Sequence, residues 1–333
     1  MTKTVLEVNN LVKHYPIRAG VLQRTTGYVR SVDGVSFSID RGKTFGLVGE
    51  SGCGKTTVGR TLLRLTEPTG GEALLDGEDI FKMNKRQLKR IRPKMQMIFQ
   101  DPYASLDPRM PIGEAIKEPV REHRLVPRDR LTGYTLEIME SCGLPKFFAQ
   151  RYPHEFSGGQ RQRICIARAL AMKPELIIAD EPVSALDMSI QAQIINLMRD
   201  LQEEYSLSYL FISHDLSVVE YLSDEVGVMY LGNIVERAPK EELFRNPMHP
   251  YTQALLSAVP VPDPDRKMKR IVLKGDIPSP ANPPEGCKFH TRCPYAMPVC
   301  AEKEPIYKDY GNGHYTACHL HNQRETGGCE AAD

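Results

Sequence analysis

Residues 44–56 read TFGLVGESGCGKT, and they define the type of fold. The first five form an apolar, β-rich run, and Gly49–Thr56 (the glycine loop) fit the pattern G-x-x-x-x-G-K-[ST]. A helical pattern follows directly, over residues 55–65. Glycines let such a loop turn its backbone N–H groups toward phosphate oxygens, and the helix N-terminus adds a favourable dipole. The stretch therefore predicts a strand, a phosphate-binding loop and a helix.

The side chains of this loop suggest individual roles at a nucleotide. Lys55 is expected to reach the β- and γ-phosphates, and the hydroxyl of Thr56 is the expected Mg²⁺ ligand. The loop residues predicted to bind the nucleotide are Gly49, Ser51, Gly52, Cys53, Gly54, Lys55, Thr56 and Thr57. The alternative, a glycine-rich turn without a ligand, is disfavoured by the strand and helix on either side.

Length and composition limit the class of protein. A chain of 333 residues suggests about two domains, and 41% hydrophobic with 26% charged residues is typical of a globular chain. Lys and Arg (43) nearly cancel Asp and Glu (42), so we expect no nucleic-acid partner, and the basic stretch Lys82–Lys94 is interpreted as a solvated helix face. Without an apolar run of roughly 20 residues or a signal peptide, any membrane role should work through partners.

Strand and helix patterns alternate up to about residue 238. The predicted strands are VLEVNNL (5–11), VSFSID (35–40), TFGLV (44–48), MQMIF (95–99), LIIAD (176–180), YLFIS (209–213) and EVGVMY (225–230). Such alternation predicts an α/β domain with a largely parallel sheet. Residues 104–155 lack β-rich runs and predict two helices, near 112–123 and 128–142, in a helical subdomain inserted into the α/β core.

The composition changes near residue 238. Of 25 prolines, 13 lie at or after Pro239, and five of the eight cysteines lie at or after Cys287. We therefore predict an α/β domain over 1–238 and a cysteine-rich C-terminal extension over 239–333. Residues 258–286 are predicted to form an extended linker with one short strand, RIVLKG (270–275).

Two acidic residues end an apolar run, at Asp180 and Glu181. A parallel strand would place them at the carboxyl edge of the sheet, where ligands bind. Asp180 is then expected to hold Mg²⁺, through water, and Glu181 to polarise the water that attacks the γ-phosphate. Taken alone, the pair could equally cap a helix.

The sequence FSGGQ (156–160) precedes a helical pattern and offers a second anion-binding helix start. The residues predicted to contact a nucleotide here, termed the signature segment, are Ser157, Gly158, Gly159 and Gln160. One nucleotide does not need both anion-binding segments, the glycine loop and the signature segment, from the same chain. A natural arrangement is therefore a dimer, in which the second segment comes from the other subunit across the interface. An ordinary capped helix is the alternative interpretation.

Five motifs in this order resemble the nucleotide-binding subunit of an ABC transporter over residues 5–237: the glycine loop, FSGGQ, LIIADE, Ser184–Asp187 and His214. The resemblance implies an α/β P-loop NTPase fold of the ABC type with a helical subdomain at about 101–160. It also implies ATP hydrolysis, with two subunits closing head-to-tail on two ATP molecules.

The same resemblance gives roles to residues that no spacing rule identifies. Gln100 matches the glutamine that links the Mg²⁺ site to the helical subdomain and the membrane subunits. His214 matches the histidine that contacts the γ-phosphate, so the implied catalytic residues are Glu181, His214 and Lys55. Asp187 matches the loop that touches the opposite subunit.

Tyr15 matches the aromatic residue that stacks on adenine in this family, since a π face accepts the base. The sequence departs from the usual pattern here, because residues 16–30 lengthen the path from Tyr15 to the glycine loop. Tyr28 is therefore a rival position.

Two further stretches, FQDPYASLDPR (99–109) and NPMHPYT (246–252), are similar to the ATP-binding subunits of bacterial dipeptide and oligopeptide importers. This resemblance implies peptide uptake, a second ATPase subunit in a heterodimer, two transmembrane permease subunits and an extracytoplasmic peptide-binding protein. It implies a peripheral position on the cytoplasmic face of the membrane. The alternatives are an importer for another small solute, such as nickel, and a soluble ABC-type ATPase outside transport.

Cys287, Cys293, Cys300 and Cys318 are separated by five, six and seventeen residues, among prolines and turns. The spacing lacks common zinc and ferredoxin patterns, so an iron–sulfur cluster, zinc and unligated thiols all remain open from the residues alone. The importer resemblance implies a [4Fe–4S] cluster on these four cysteines within 287–318. Cys329 is expected to be a free thiol.

Overall fold

The computed structural model of the chain describes residues 4–20, 23–259 and 270–322. Its strands are β1 (Thr4–Ala19), β2 (Arg24–Asp40), β3 (Thr44–Val48), β4 (Gly70–Leu75), β5 (Glu78–Asp79), β6 (Met95–Ile98), β7 (Leu176–Asp180), β8 (Ser208–Ser213), β9 (Glu225–Tyr230), β10 (Asn233–Pro239), β11 (Lys308–Asp309) and β12 (Tyr315–Thr316). Its α-helices are α1 (Lys55–Leu62), α2 (Lys85–Ile91), α3 (Ile112–Glu122), α4 (Leu131–Ser141), α5 (Gly158–Leu170), α6 (Met188–Tyr205), α7 (Leu216–Leu222), α8 (Lys240–Arg245), α9 (Pro250–Ser257), α10 (Pro298–Glu302) and α11 (His319–Asn322). Cys329 lies outside the described residues.

The main sheet has the strand order β11-β12-β10-β9-β3-β8-β7-β6. Neighbours from β9 to β6 are parallel, whereas β10 pairs antiparallel with β9 and with β12. Every residue of β3, β7 and β8 is buried, as expected for their mostly apolar sequences in a sheet covered on both faces. The predicted α/β fold with a largely parallel sheet is confirmed.

A second, antiparallel sheet has the order β2-β1-β4-β5. Residues 16–19 and 24–30, which lengthen the path from Tyr15 to the glycine loop, continue the antiparallel pairing of β1 and β2 as far as Ala19 opposite Arg24. The two sheets share a core, in which Phe37 of β2 stacks on Phe45 of β3 with ring centroids 4.6 Å apart. This contact holds the hairpin sheet beside the strand that leads into the glycine loop.

Residues 101–160 contain helices and turns but no strand. The helices predicted near 112–123 and 128–142 are α3 and α4, and α3 packs against both α4 and α5. Apart from Thr135, their buried side chains are apolar, including Ile116 and Met139, so this unit has its own core contacts. No helix in the described ranges is long and apolar enough to span a membrane.

Residues after β10 return to the main sheet. Glu236 of β10 is 0% exposed, and its carboxylate accepts hydrogen bonds from the N–H groups of Met248 (2.6 Å) and His249 (2.9 Å). Nε2 of the buried His314 donates to the same carboxylate over 2.7 Å. A buried carboxylate needs such partners, so Glu236 ties two segments of the C-terminal region to the sheet.

The predicted strand at 270–275 is wrong, because these residues form no regular element. Their sequence has a β-like pattern, but a strand also requires hydrogen bonds from a neighbouring strand. Among the residues that the structure describes, no strand pairs with this segment.

Candidate nucleotide-binding site

Four adjacent strands of the main sheet end at one edge and carry the predicted motifs there. In the sheet they lie in the order β3, β8, β7 and β6. They are followed by the glycine loop, His214, Glu181 and Gln100 respectively. Since parallel strands point their carboxyl ends the same way, residues 165 positions apart in sequence meet around one cleft.

The cleft has a volume of about 510 Å³. Its lining residues are Ser31, Ser51, Gly52, Gly54, Lys55, Thr56, Thr57, Gln100, Glu181 and His214. All but Ser31 are predicted site residues. Ser31 lies on β2, where no motif marks it, and its hydroxyl donates to Thr57 Oγ1 over 2.9 Å. Only the approach of the hairpin sheet to the glycine loop reveals this residue.

The glycine loop runs close to neighbouring backbone at two of its glycines. Gly49 has φ +151°, and a Cβ there would lie 2.2 Å from the carbonyl oxygen of Met229. Gly54 has φ +111°, and its Cβ would lie 2.0 Å from the carbonyl oxygen of Ser31. Both positions therefore require glycine for conformation and for space.

Lys55 is buried and lies within the loop that precedes it. Its Nζ donates to the carbonyl oxygens of Gly49 (2.7 Å) and Glu50 (3.1 Å), and it lies 3.8 Å from Sγ of Cys53. Burial raises the pKa of the Cys53 thiol, so this side chain is an uncharged filler. The loop thus presents one cation and its backbone N–H groups to an anion.

Thr56 and Asp180 form the pair of oxygen ligands that Mg²⁺ would need. The Thr56 hydroxyl donates to Asp180 Oδ1 over 2.9 Å. Burial raises the pKa of Asp180, while the hydrogen bond from Thr56 and the charges of Arg60 and Lys55 oppose that shift. A hydroxyl and a carboxylate are hard oxygen donors, which suit Mg²⁺.

Glu181 is held at the mouth of the cleft by two other predicted residues. Nε2 of Gln100 donates to its Oε2 over 2.9 Å, and Nδ1 of His214 lies 3.3 Å from its Oε1. The backbone of Glu181 has φ +47°, a left-handed conformation that is uncommon for a residue with a side chain. The three side chains therefore fix one carboxylate beside the loop that would hold the γ-phosphate.

The remaining predicted nucleotide contacts lie outside this cleft. Ser157 caps α5, with its Oγ accepting from the Gln160 N–H over 3.3 Å, and Ser157 and Gly158 are exposed. Asp187 is exposed just before α6, and Tyr15 lies on the hairpin sheet opposite Val29. One chain therefore brings together the glycine loop, Gln100, Asp180, Glu181 and His214, but not these other residues.

The four cysteines predicted to hold the cluster lie in one region. The N–H of Cys287 donates to the Cys300 carbonyl oxygen over 2.8 Å, and Cys300 and Cys318 are buried. Burial, with the charges of the neighbouring thiols, raises the pKa of Cys287 to about 11 and that of Cys318 to about 12. Among the described residues, however, no group of three or more His, Cys, Asp or Glu side chains is placed to hold a metal ion. The iron–sulfur cluster and its zinc alternative stay predictions.

The fold and the cleft define a P-loop ATPase of the ABC type. A solved dimer of the ATP-binding cassette MJ0796 in a post-hydrolysis state with ADP and Pi has a TM-score of 0.63 and 26% sequence identity, covering 71% of this chain and 98% of that one. The sequence profile of the family described as ABC transporter matches residues 32–184. The profile described as oligopeptide/dipeptide transporter, C-terminal region, matches residues 235–300.

Two similar proteins cover nearly the whole chain. The oligopeptide transport ATP-binding protein AppF of Bacillus subtilis is 57% identical over 323 residues, which is 96% of this chain and 98% of that protein. A putative peptide import ATP-binding protein of Brucella ovis is 53% identical over 319 residues, with 96% and 98% covered. This chain belongs to the ATP-binding subunits of ABC transporters, in the oligopeptide and dipeptide group.

Proposed function

We propose that this chain hydrolyses ATP to drive the uptake of oligopeptides and dipeptides across the cytoplasmic membrane. The observation that carries the proposal is that similarity to peptide-transport ATP-binding proteins includes the region after the ATPase core, at residues 235–300. That region contributes no residue to the lining of the cleft, so its similarity is informative about the transporter and not only about ATP chemistry.

The proposed ATP contacts follow from the cleft. The phosphates of ATP would lie on the glycine loop. Lys55 Nζ would turn from the loop carbonyls toward the β- and γ-phosphates. Thr56 and Asp180 fit a Mg²⁺ ion, with Gln100 at its side, and the ion would supply charge neutralisation for the phosphate oxygens. Tyr15 is proposed to stack on the adenine.

Glu181 is the proposed general base. Its carboxylate would orient a water molecule and accept its proton as the oxygen attacks the γ-phosphorus, whose bond to the bridging oxygen breaks so that ADP leaves. Gln100 and His214 hold the carboxylate in place, and the half-exposed ring of His214, which lines the cleft, is proposed to contact the γ-phosphate. Proton acceptance and phosphate contact are therefore divided between two adjacent side chains.

The signature segment and Asp187 are proposed to complete the site of a second ATPase subunit. In support, the signature segment begins at an exposed helix N-terminus that lies outside the cleft of its own chain. We propose a heterodimer, peripheral on the cytoplasmic face of the membrane. It would act with two transmembrane permease subunits and an extracytoplasmic peptide-binding protein.

Residues 1–238 are proposed as the ATPase domain, with its helical subdomain at about 101–160, and 239–333 as the extension. Within 287–318, we propose that Cys287, Cys293, Cys300 and Cys318 hold a [4Fe–4S] cluster. Support comes from the placement of the four thiols, since Cys287, Cys293 and Cys300 lie near enough to Cys318 to influence its pKa. Four soft donors fit such a group, although they do not surround a single ion.

Metal analysis of protein purified without oxygen tests the cluster. We expect iron and acid-labile sulfide in the wild type and their loss in Cys318→Ser. Cys142→Ser is the matched control, because Cys142 is also buried but lies at the end of α4, and iron should be retained. Zinc or no metal in the wild type would overturn this part of the proposal.

Transport is tested in source cells that lack the chain, supplied with labelled dipeptides and oligopeptides. Wild type should restore uptake and Glu181→Gln should not. Glu175→Gln should restore it, because Glu175 precedes the opposite end of the same strand and pairs with Arg41 and Lys94 at the surface. Wild-type uptake in cells carrying Glu181→Gln, or in cells lacking the chain altogether, would contradict the proposal.

A further inference from the structure

Glu50, the second residue of the glycine loop, faces away from the nucleotide cleft. Its side chain is absent from the cleft lining, although its carbonyl oxygen accepts from Lys55 Nζ over 3.1 Å and from the Cys53 N–H over 3.3 Å. The main chain of Glu50 therefore belongs to the phosphate-binding loop, while its carboxylate points to another part of the molecule.

That other part is the cysteine-rich region of the extension. Nη1 of Arg292 donates to Glu50 Oε2 over 2.6 Å, and Nη2 donates to Oε1 over 3.1 Å. The Arg292 side chain is only 8% exposed. Two parallel, charge-assisted hydrogen bonds with little solvent around them fix the carboxylate in direction as well as in place.

A second contact from the extension holds the backbone of the same residue. The N–H of Glu50 donates to the hydroxyl of Tyr251 over 2.8 Å, and Tyr251 is fully buried on α9. The Tyr251 ring packs against Phe289, with centroids 5.4 Å apart, and Phe289 lies three residues before Arg292. One packed unit thus holds both the amide and the carboxylate of Glu50.

We propose that Arg292 is a positioning residue for ATP binding, acting through Glu50. An unpaired carboxylate in this loop would repel the triphosphate and could bond the loop's own N–H groups or Lys55 in competition with ATP. Arg292 prevents both, because it neutralises the carboxylate and directs it away from the cleft. The inference rests on the ATP site proposed above and extends it to a residue 242 positions away.

A double-mutant cycle on the full-length chain tests this role, with the dissociation constant of Mg²⁺–ATP measured by calorimetry. Arg292→Met should weaken binding by about 10-fold. In a Glu50→Gln background the same change should weaken it by no more than about 2-fold, because no carboxylate is left unpaired. Arg292→Lys, which keeps the charge without the two parallel hydrogen bonds, should fall between wild type and Arg292→Met.

Lys288→Met is the matched control. Lys288 lies four residues earlier, is 12% exposed, and pairs with Asp33 of β2 over 2.8 Å instead of with the glycine loop. Its loss should leave ATP affinity within about 2-fold of wild type. An equal loss in Lys288→Met and Arg292→Met would assign the effect to weakened docking of the extension and would overturn the inference.

Three further outcomes separate the inference from the proposed function. If the wild type does not bind ATP, the proposed function fails and the inference fails with it. If the wild type binds but Arg292→Met is unchanged, only the inference fails. An equal effect of Arg292→Met with and without Glu50→Gln would also overturn it. Should Arg292→Met not fold, Arg292→Lys with and without Glu50→Gln carries the same cycle.

Discussion

Two contact regions are both built from polar side chains but differ in burial. One is the mouth of the nucleotide cleft, around Glu181, and the other is the attachment of the extension to the main sheet, around Glu236. In the cleft, Glu181 is held by Gln100 and by His214, whose side chain is 57% exposed. At the attachment, Glu236 and His314 are almost fully buried. Exposed contacts cost little to exchange, whereas breaking a buried pair leaves an uncompensated charge. The contacts of Glu181 in the cleft are therefore suited to being exchanged during a reaction. The contacts of Glu236 are suited to keeping the extension on the main sheet.

The largest effect that this difference predicts is on the rate of hydrolysis. Glu181→Gln should lower the ATPase rate by roughly 10²- to 10⁴-fold, because a general base is lost. ATP affinity and the free energy of unfolding should change little, since the amide keeps the shape of an incompletely buried side chain. Steady-state hydrolysis, ATP titration and thermal unfolding of the same preparation measure the three quantities.

Glu175→Gln is the control for that experiment, since it removes a carboxylate just before the other end of β7. Its ATPase rate should remain within about 2-fold of wild type. If Glu181→Gln hydrolysed ATP as fast as this control, the cleft would lack the role given to it here.

A smaller effect concerns stability at the attachment. Burial lowers the pKa of His249 to about 4, and Nδ1 of its neutral ring accepts from the Tyr251 N–H over 3.1 Å, capping α9. An unfolded histidine binds a proton below about pH 6.5, whereas the folded one stays neutral down to about pH 4. Stability should therefore fall as the pH drops through this window, by about 2 kcal/mol between about pH 7.5 and 5.

His249→Asn isolates this contribution, because asparagine also caps helices but does not titrate. Chemical unfolding at the two pH values should show a pH dependence about 2 kcal/mol smaller in the variant than in wild type. His154→Asn replaces an exposed histidine and should keep the wild-type dependence. An identical pH dependence in all three proteins would show that burial of His249 does not govern acid stability.

The smallest effect is at the adenine. Tyr15 pairs with Val29 and Tyr28 pairs with Pro16, so the two tyrosines lie one residue apart in register and point to opposite faces of the hairpin sheet. Tyr15→Leu should weaken ATP binding by about 5-fold, as expected for about 1 kcal/mol of stacking, and Tyr28→Leu by less than about 2-fold. A larger loss in Tyr28→Leu would transfer the adenine contact to that residue.

The sequence predicts the cleft better than the attachment for a physical reason. The glycine loop and Glu181 each follow an apolar run, and the geometry of parallel strands then brings them to one edge, while the family resemblance supplied Gln100 and His214. Arg292, with its partner Glu50, has no such local pattern, because an ion pair between distant residues depends on how two regions dock. The strand predicted at 270–275 failed for a related reason, since a β-like sequence does not show whether a neighbouring strand will pair with it, and no described strand does.

The pairing of Glu50 with Arg292 also has a consequence for biosynthesis. At roughly 5–20 residues per second, a ribosome needs on the order of 10 to 50 seconds to add the 242 residues between them. During that time the glycine loop already exists without Arg292, and for the first 201 residues it also lacks Tyr251. The glycine loop is therefore synthesised early, but its contacts are completed late. In a nascent or truncated chain, the loop would be exposed to cellular ATP without the support of Tyr251 and Arg292.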